Sequence, residues 1–195
     1  MTAGPRRRES PPQRRERRAT VDDPTLVLEA AARSLGARSR SVAEVRRRLT
    51  GAGYRGDLVE GAIGRMLELG MLDDAAFARA WVESRDRTHP RGERAIRSEL
   101  ALKGVDRAIV DLVLAERRDD ALVSTSADEV HGSQDRMSAS RLVARHARAL
   151  GRVADPRQRR QRAYALLARN GFDPDVCRVV AATVANGPDG GEDEE

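Results

Sequence analysis

Arg141, Arg145, Arg148 and Arg152 recur at i, i+4, i+7 and i+11. That spacing lines four guanidinium groups along one side of a helix. Leu142, Val143, His146, Ala149, Leu150 and Val153 fall on the opposite side, and Arg157, Arg159, Arg160 and Arg162 follow at once. The chemistry open to such a cluster is recognition of an anion, because a guanidinium is a planar fork of donors matched to phosphate or carboxylate. The stripe reads as a contact face for DNA phosphates or for an acidic protein surface. A merely solvated face is the plain alternative.

Smaller basic sets lie upstream. Arg46, Arg47 and Arg48 are consecutive, so at most two of them share a helix face. Arg91, Arg94, Arg97 and Lys103 form another set, in which Arg94 and Arg97 are three apart and can act together. The N-terminal arm with Arg6, Arg7, Arg8, Arg14, Arg15, Arg17 and Arg18 can add salt-sensitive affinity for nucleic acid, or simply solubilise the chain.

Residue types suited to making or breaking bonds do not converge. His89, His131 and His146 are scattered, and His146 sits near the apolar side of its helix as a packed side chain would. Cys177, the single cysteine, stands between Val176 and Val179 and reads as buried filler. Asp73-Asp74 resembles a metal pair, but a helix N-cap explains it better. No Gly-rich phosphate loop and no nucleophile with a base partner is visible. Trp81 follows Phe77 at helical spacing and reads as core. The expectation is therefore a non-enzyme with no catalytic residue, no metal and no cofactor.

The composition suits thin helical layers. Of 195 residues, 3% are aromatic and 34% charged, and the formal net charge is +5. Residues 1–20 carry seven Arg against two Glu, and residues 189–195 carry five acids and no base, so the tails cancel. Inside, net charge climbs from +1 over 28–74 to +3 over 77–118 and +7 over 141–178. A graded basic surface is the electrostatic footprint of a polyanion partner. No apolar run is long enough to span a bilayer, so a cytoplasmic protein is expected.

The elements that position these groups are announced by a repeat. Leu49-Thr-Gly-Ala-Gly53-Tyr54, Leu100-Ala-Leu-Lys-Gly104-Val105 and Leu167-Ala-Arg-Asn-Gly171-Phe172 each read Leu, three residues, Gly, large apolar. This is the signature of a helix stopped by a left-handed Gly, with the Leu packed on the residue after the Gly. Asp57, Asp106 and Asp173 follow as N-caps of a next helix, Asp57 with Glu60 at capping-box spacing. Ser41 with Glu44, Asp155-Pro156, Asp73 and Asp23-Pro24 start others.

The pattern predicts nine helices in three groups, over 24–36, 41–52 and 57–69, then 74–87, 92–103 and 107–117, then 139–152, 156–169 and 174–186. The expected core is Leu35, Val45, Leu49, Tyr54, Val59, Ile63, Leu67, Phe77, Trp81, Ile96, Leu100, Ile109, Val113, Leu142, Leu150, Leu166, Leu167, Phe172, Val176 and Val180. The fold expected is all-α, tandem three-helix repeats forming an elongated, curved array. The repeats would cover 23–72, 73–118 and 139–186, with a flexible acidic, Ser-rich insertion at 119–138 and disordered tails at 1–22 and 187–195.

Residues 38–116 resemble the RecX family of regulatory proteins. The resemblance rests on R-S-R-S-V-A-E-V-R-R-R-L (38–49), G-Y (53–54), M-L-E-L-G-M-L-D-D-A-A-F-A-R-A-W-V (66–82), R-G-E-R-A-I-R-S-E-L (91–100) and K-G-V (103–105). A-R-N-G-F (168–172) is a weaker third instance. The resemblance implies a monomer that binds the RecA filament and the single-stranded DNA within it, and inhibits ATP hydrolysis and strand exchange. It places the chain in DNA repair, recombination and the SOS response. A direct DNA-binding protein with helix-turn-helix-like units is the alternative. The insertion and the long charged tails depart from the family pattern.

Overall fold

A computed structural model describes residues 10–36, 38–123 and 134–185. Among them lie eleven α-helices and no strand: α1 (Pro11–Ala19), α2 (Pro24–Leu35), α3 (Val42–Ala52), α4 (Gly56–Glu68), α5 (Asp74–Thr88), α6 (Glu93–Lys103), α7 (Arg107–Val123), α8 (Gln134–Arg145), α9 (Ala147–Gly151), α10 (Pro156–Arg169) and α11 (Pro174–Ala185). The tandem three-helix repeats are therefore real: α2–α3–α4, α5–α6–α7, and α8 with α9, α10 and α11. By contacts the chain forms two compact units, Met1–Phe77 with Lys103–Val105, and Ala78–Leu102 with Asp106–Glu195.

In the first unit the helices begin where a side chain can satisfy free amides. Asp23 accepts from the Thr25 amide, with Pro24 at the first helical position. Ser41 and Glu44 form a reciprocal capping box. The apolar positions then fall in phase: Val27 and Ala31 on α2, Val45 and Leu49 on α3, and Val59, Ala62, Ile63 and Met66 on α4 are all buried together with Leu72. Each large side chain so buried is worth about 1.5–3 kcal/mol before chain entropy is counted. Leu67, expected in this core, is 46% exposed, because the α4 stripe runs through Met66 and leaves its neighbour outside.

Helices stop as the Gly spacing requires. In the described residues all backbone positions with positive φ are glycines, at Gly53, Gly70, Gly104 and Gly171. At Gly53 the Gly amide donates to the Thr50 carbonyl and the Tyr54 amide to Leu49; Gly171 and Phe172 do the same to Ala168 and Leu167. Gly70 is a fourth stop, with Met71 donating to Met66. Met66-Leu-Glu-Leu-Gly70-Met71 carries the same spacing with Met in place of Leu.

Asp106 and Asp173 cap α7 and α11 through the Ala108 and Asp175 amides. Asp57 does not cap: α4 opens one residue earlier, and the Asp57 carboxylate instead grips Arg55 in a forked pair. Glu60 likewise turns away to Arg46.

The second unit buries Ala139, Leu142, Val143, Leu150, Ala163, Leu167, Phe172, Cys177, Val180 and Ala181 as one cluster. Ile96, Leu100, Val110, Val113 and Leu114 are buried as well. Ile109 and Trp81 are only half-buried. Trp81 keeps its Nε1–H on Glu99 at 2.8 Å, with the Arg85 guanidinium 4.4 Å above its ring.

Two features differ from the helices expected over 139–152. α8 starts at Gln134, inside the anticipated insertion, and the helix breaks at His146, where φ and ψ leave the helical region. His146 Nδ1 lies 2.9 Å from the Leu142 carbonyl and must carry the proton there, so a side chain occupies an acceptor the helix would use. His146 is exposed, not packed. α7 also runs on to Val123. The middle of the anticipated insertion, 124–133, lies outside the described residues, as do 1–9 and 186–195.

The other departure is α1, in a segment expected to be disordered. Ser10 and Gln13 form a capping box, Pro11 and Pro12 fix the first turn, and Arg17 and Arg18 sit at the favourable C-terminal end. No α1 side chain is buried.

Candidate nucleic-acid interface

The candidate basic residues separate into three kinds. The first are matched by carboxylates. Arg46 holds Glu60 through two bonds of 2.7 and 2.9 Å. That fork pulls the Glu60 carboxyl below its ordinary range. Arg97 bridges Glu93 and Asp111 at 3.0 and 3.1 Å. Arg94 lies 3.6 Å from Asp173, and Lys103 3.0 Å from Glu44. These side chains stitch helices together and present little free positive charge.

The second kind is spent on backbone carbonyls. Arg47 reaches the Lys103 carbonyl at 3.4 Å, and Arg141 reaches Asp86 at 3.3 Å. Arg145 spans the carbonyls of Arg87 and Thr88, and Arg159 donates to Val153 at 3.1 Å. Arg141 and Arg145 therefore cap the end of α5 with their guanidinium groups. The break at His146 separates them from the two arginines that follow, so the four-residue stripe is not one continuous face.

The third kind makes up the candidate site. Arg148 and Arg152 on and after α9, and Arg157, Arg160 and Arg162 on α10, are exposed. No carboxylate of the described residues pairs with any of them. Arg169 joins them from the last turn of α10. α10 buries Ala163 and Leu167, and Arg157, Arg160 and Tyr164, at i, i+3 and i+7, share one exposed flank beside that buried stripe. Tyr164 is 36% exposed. An aromatic ring beside free arginines suits a surface that meets both phosphate charge and base faces. Sequence reasoning found the arginines but passed over Tyr164, whose signal is its phase, one residue past Ala163.

The residues considered for reaction chemistry serve structure. Asp73 caps α5 through the Ala75 and Ala76 amides. Asp74 accepts from the Val42 amide at 2.9 Å, and burial pushes its carboxyl above the ordinary range. Burial also pushes the Cys177 thiol up. The described residues hold no cluster of three His, Cys, Asp or Glu able to bind a metal. None of their helices is long and apolar enough to cross a membrane.

Sequence reasoning missed the polar centre of the second unit. Arg117, 5% exposed, makes a fork to Asp86 at 2.8 and 3.0 Å and reaches Asp135 at 2.6 Å. Ser138 adds a bond to Asp86 at 2.8 Å. Burial opposes the charge on Arg117, but the bond to Asp86 and the attraction of both acids outweigh it and raise its pKa. The cluster joins α5, α7 and α8. A second joint lies nearby, where the Gly92 amide donates to Asn170 and the Arg94 amide to Gly171.

Glu44 yields a pH prediction. Burial raises its carboxyl, but hydrogen bonds from Arg38 and Lys103 hold it down at about 2, against an ordinary 4.5. A depressed acid stabilises the fold above its unfolded pKa, and that contribution is lost as pH falls from about 4.5 to about 2. The amount is about 3 kcal/mol. Urea melts at pH 7 and pH 2.5 are expected to separate wild type from E44Q at pH 7 and to close most of that gap at pH 2.5. An equal gap at both pH values contradicts this.

Successive three-helix units with exposed arginines on the last of them define an all-α helical-repeat protein. The family model for the first three-helix domain of RecX matches residues 28–66, and that for the second matches 73–114. The regulatory protein RecX of Mycobacterium avium is 32% identical over 154 residues, covering 78% of this chain and 82% of that protein. That of Mycobacterium marinum is 33% identical over the same shares. The chain belongs to the RecX family. The crystal structure of RecX from Lactobacillus salivarius superposes with a TM-score of 0.68 at 20% identity, covering 84% of this chain and 97% of that one, which shows the shared fold.

Proposed function

We propose that this chain is a cytoplasmic, monomeric regulator of homologous recombination and DNA repair. It binds the RecA–single-stranded-DNA filament and inhibits its ATPase and strand-exchange activity. The regulatory part of this reading is supported by the relatives, which are named regulatory proteins. The observation that carries the contact is the set of exposed arginines without carboxylate partners at Arg148, Arg152, Arg157, Arg160 and Arg162. They meet the phosphates or an acidic face of the filament. A ligand that binds one filament state better than another shifts the balance between them, so no reaction centre is required.

The quadruple variant R148E/R157E/R160E/R162E tests this. Its inhibition of the DNA-dependent ATPase of RecA should weaken by at least about tenfold, and four lost phosphate contacts should flatten the log–log salt dependence by about 3. R46Q and R97Q, which break internal pairs, should inhibit as wild type does. Wild-type inhibition by the folded quadruple variant removes this surface from the mechanism. The second reading, a direct DNA-binding protein, is favoured by Tyr164 beside the arginines. It predicts binding to DNA without RecA that the same variant loses.

A further inference from the structure

The first unit carries a cavity that the filament reading leaves unused. It has a volume of about 410 Å3 and is lined by Arg18, Arg33 and Arg48, with Ser34, Gly51 and Tyr54 among the rest. No carboxylate lines it. The cavities of the second unit are different, since Arg117 faces Asp86 in one and Arg97 faces Glu93 in another. Arg48 is exposed and pairs with no carboxylate of the described residues. Among the described residues Arg33 pairs with Glu29 alone, at 3.2 Å and with both side chains more than half exposed. A surface pair of that kind is weak and yields readily to a better anion.

Arg18 comes from α1, and the way α1 docks explains how it arrives. At Gly53, φ is +103, and a Cβ there would stand 2.7 Å from the Arg15 carbonyl oxygen. Only a glycine admits the α1 backbone this closely. Arg18 then donates to the Ala52 carbonyl at 3.4 Å and lies 5.6 Å from the Tyr54 ring. A nine-residue helix that buries no side chain is marginal by itself. Its docked state is thus held by few contacts and responds to anything that engages Arg18.

The negative ends of two helices, α2 and α3, point into this region and oppose an anion. Each end amounts to about half a charge. Both are already answered: Arg40 donates to the Ser34 carbonyl at 2.7 Å, and the Gly53 and Tyr54 amides take the Thr50 and Leu49 carbonyls. Three guanidinium groups against one exposed carboxylate leave the balance positive.

We propose that Arg18, Arg33 and Arg48 form a phosphate-binding notch, and that a bound phosphate group fastens α1 onto the first repeat. The phosphate is either a free anion or a phosphodiester of a nucleic-acid strand. The inference stands apart from the α10 surface, and its test needs no RecA. Amide hydrogen exchange of α1 in the full chain is followed with inorganic phosphate, with an oligothymidylate lacking terminal phosphates, and with sodium chloride at matched ionic strength.

At ten times its dissociation constant the bound anion should slow α1 exchange about tenfold, leave α11 unchanged, and have no effect on α1 in R33Q/R48Q. Protection by phosphate alone assigns a free anion, and protection by the oligonucleotide assigns a phosphodiester. Protection that survives in R33Q/R48Q, that spreads equally to α11, that chloride reproduces, or that neither probe produces, overturns the notch.

Discussion

Replacing Arg117 by Ala should destabilise the second unit by about 3–5 kcal/mol, the cost of leaving buried carboxylates without their partner. Asp86 and Asp135 are 12% and 13% exposed at their side chains and receive Arg117 from two directions. Once it is gone, only the Ser138 hydroxyl remains on Asp86, and Asp135 keeps the Glu93 amide. Trp81, the chain's one tryptophan, lies in the same unit and reports the transition by fluorescence in urea. If the cost arises from unpaired charge, D86N and D135N added to R117A should recover part of it. If lost packing is responsible, the added amides recover nothing. A midpoint unchanged in R117A would mean that the cluster does not hold α8 on α5 and α7.

Arg117 also shows where the sequence stops being legible. It sits in Glu116-Arg117-Arg118-Asp119, a run that reads as a solvated face. Its partners lie 31 and 18 residues away, beyond any helical spacing. A long-range ion cluster leaves no periodic trace, because the pattern of one helix does not encode which acid another helix will bring. The helix stops are the opposite case. Leu49, Gly53 and Tyr54 satisfy one another within six residues, so geometry and sequence carry the same information.

α1 falls between these cases. The structure supplies its capping box, Ser10 with Gln13, whereas the scarcity of apolar residues in the sequence points to disorder. What holds it is the absent side chain of Gly53, on another helix. The candidate site divides in the same way. That α10 would be basic was evident from Arg157 to Arg162, whereas the loss of Arg46, Arg94, Arg97 and Lys103 to internal pairs depended on acids brought by folding.

The second large effect is expected at Gly171, where two requirements coincide. Its φ is +79, and a Cβ would stand 2.5 Å from both the Cβ and the backbone nitrogen of Ala95. The left-handed conformation costs an Ala about 1–2 kcal/mol. The overlap adds about 1–3 kcal/mol, because a backbone atom cannot rotate away as a flexible side chain can. G171A should therefore lose about 2–5 kcal/mol in urea melts read at Trp81, and the bonds from Gly92 to Asn170 and from Arg94 to Gly171 should open with it. Gly61 supplies the contrast within the same chain. It lies inside α4, and nothing stands within 4 Å of where its Cβ would be. G61A should stabilise its helix by about 0.5–1 kcal/mol, since only the entropy of the unfolded chain changes. Equal and small effects at the two positions would show that the α6 start does not rest on the α10 stop, leaving side-chain ties, the Arg117 cluster and the Arg141 and Arg145 bonds to α5 among them, between the second and third repeats.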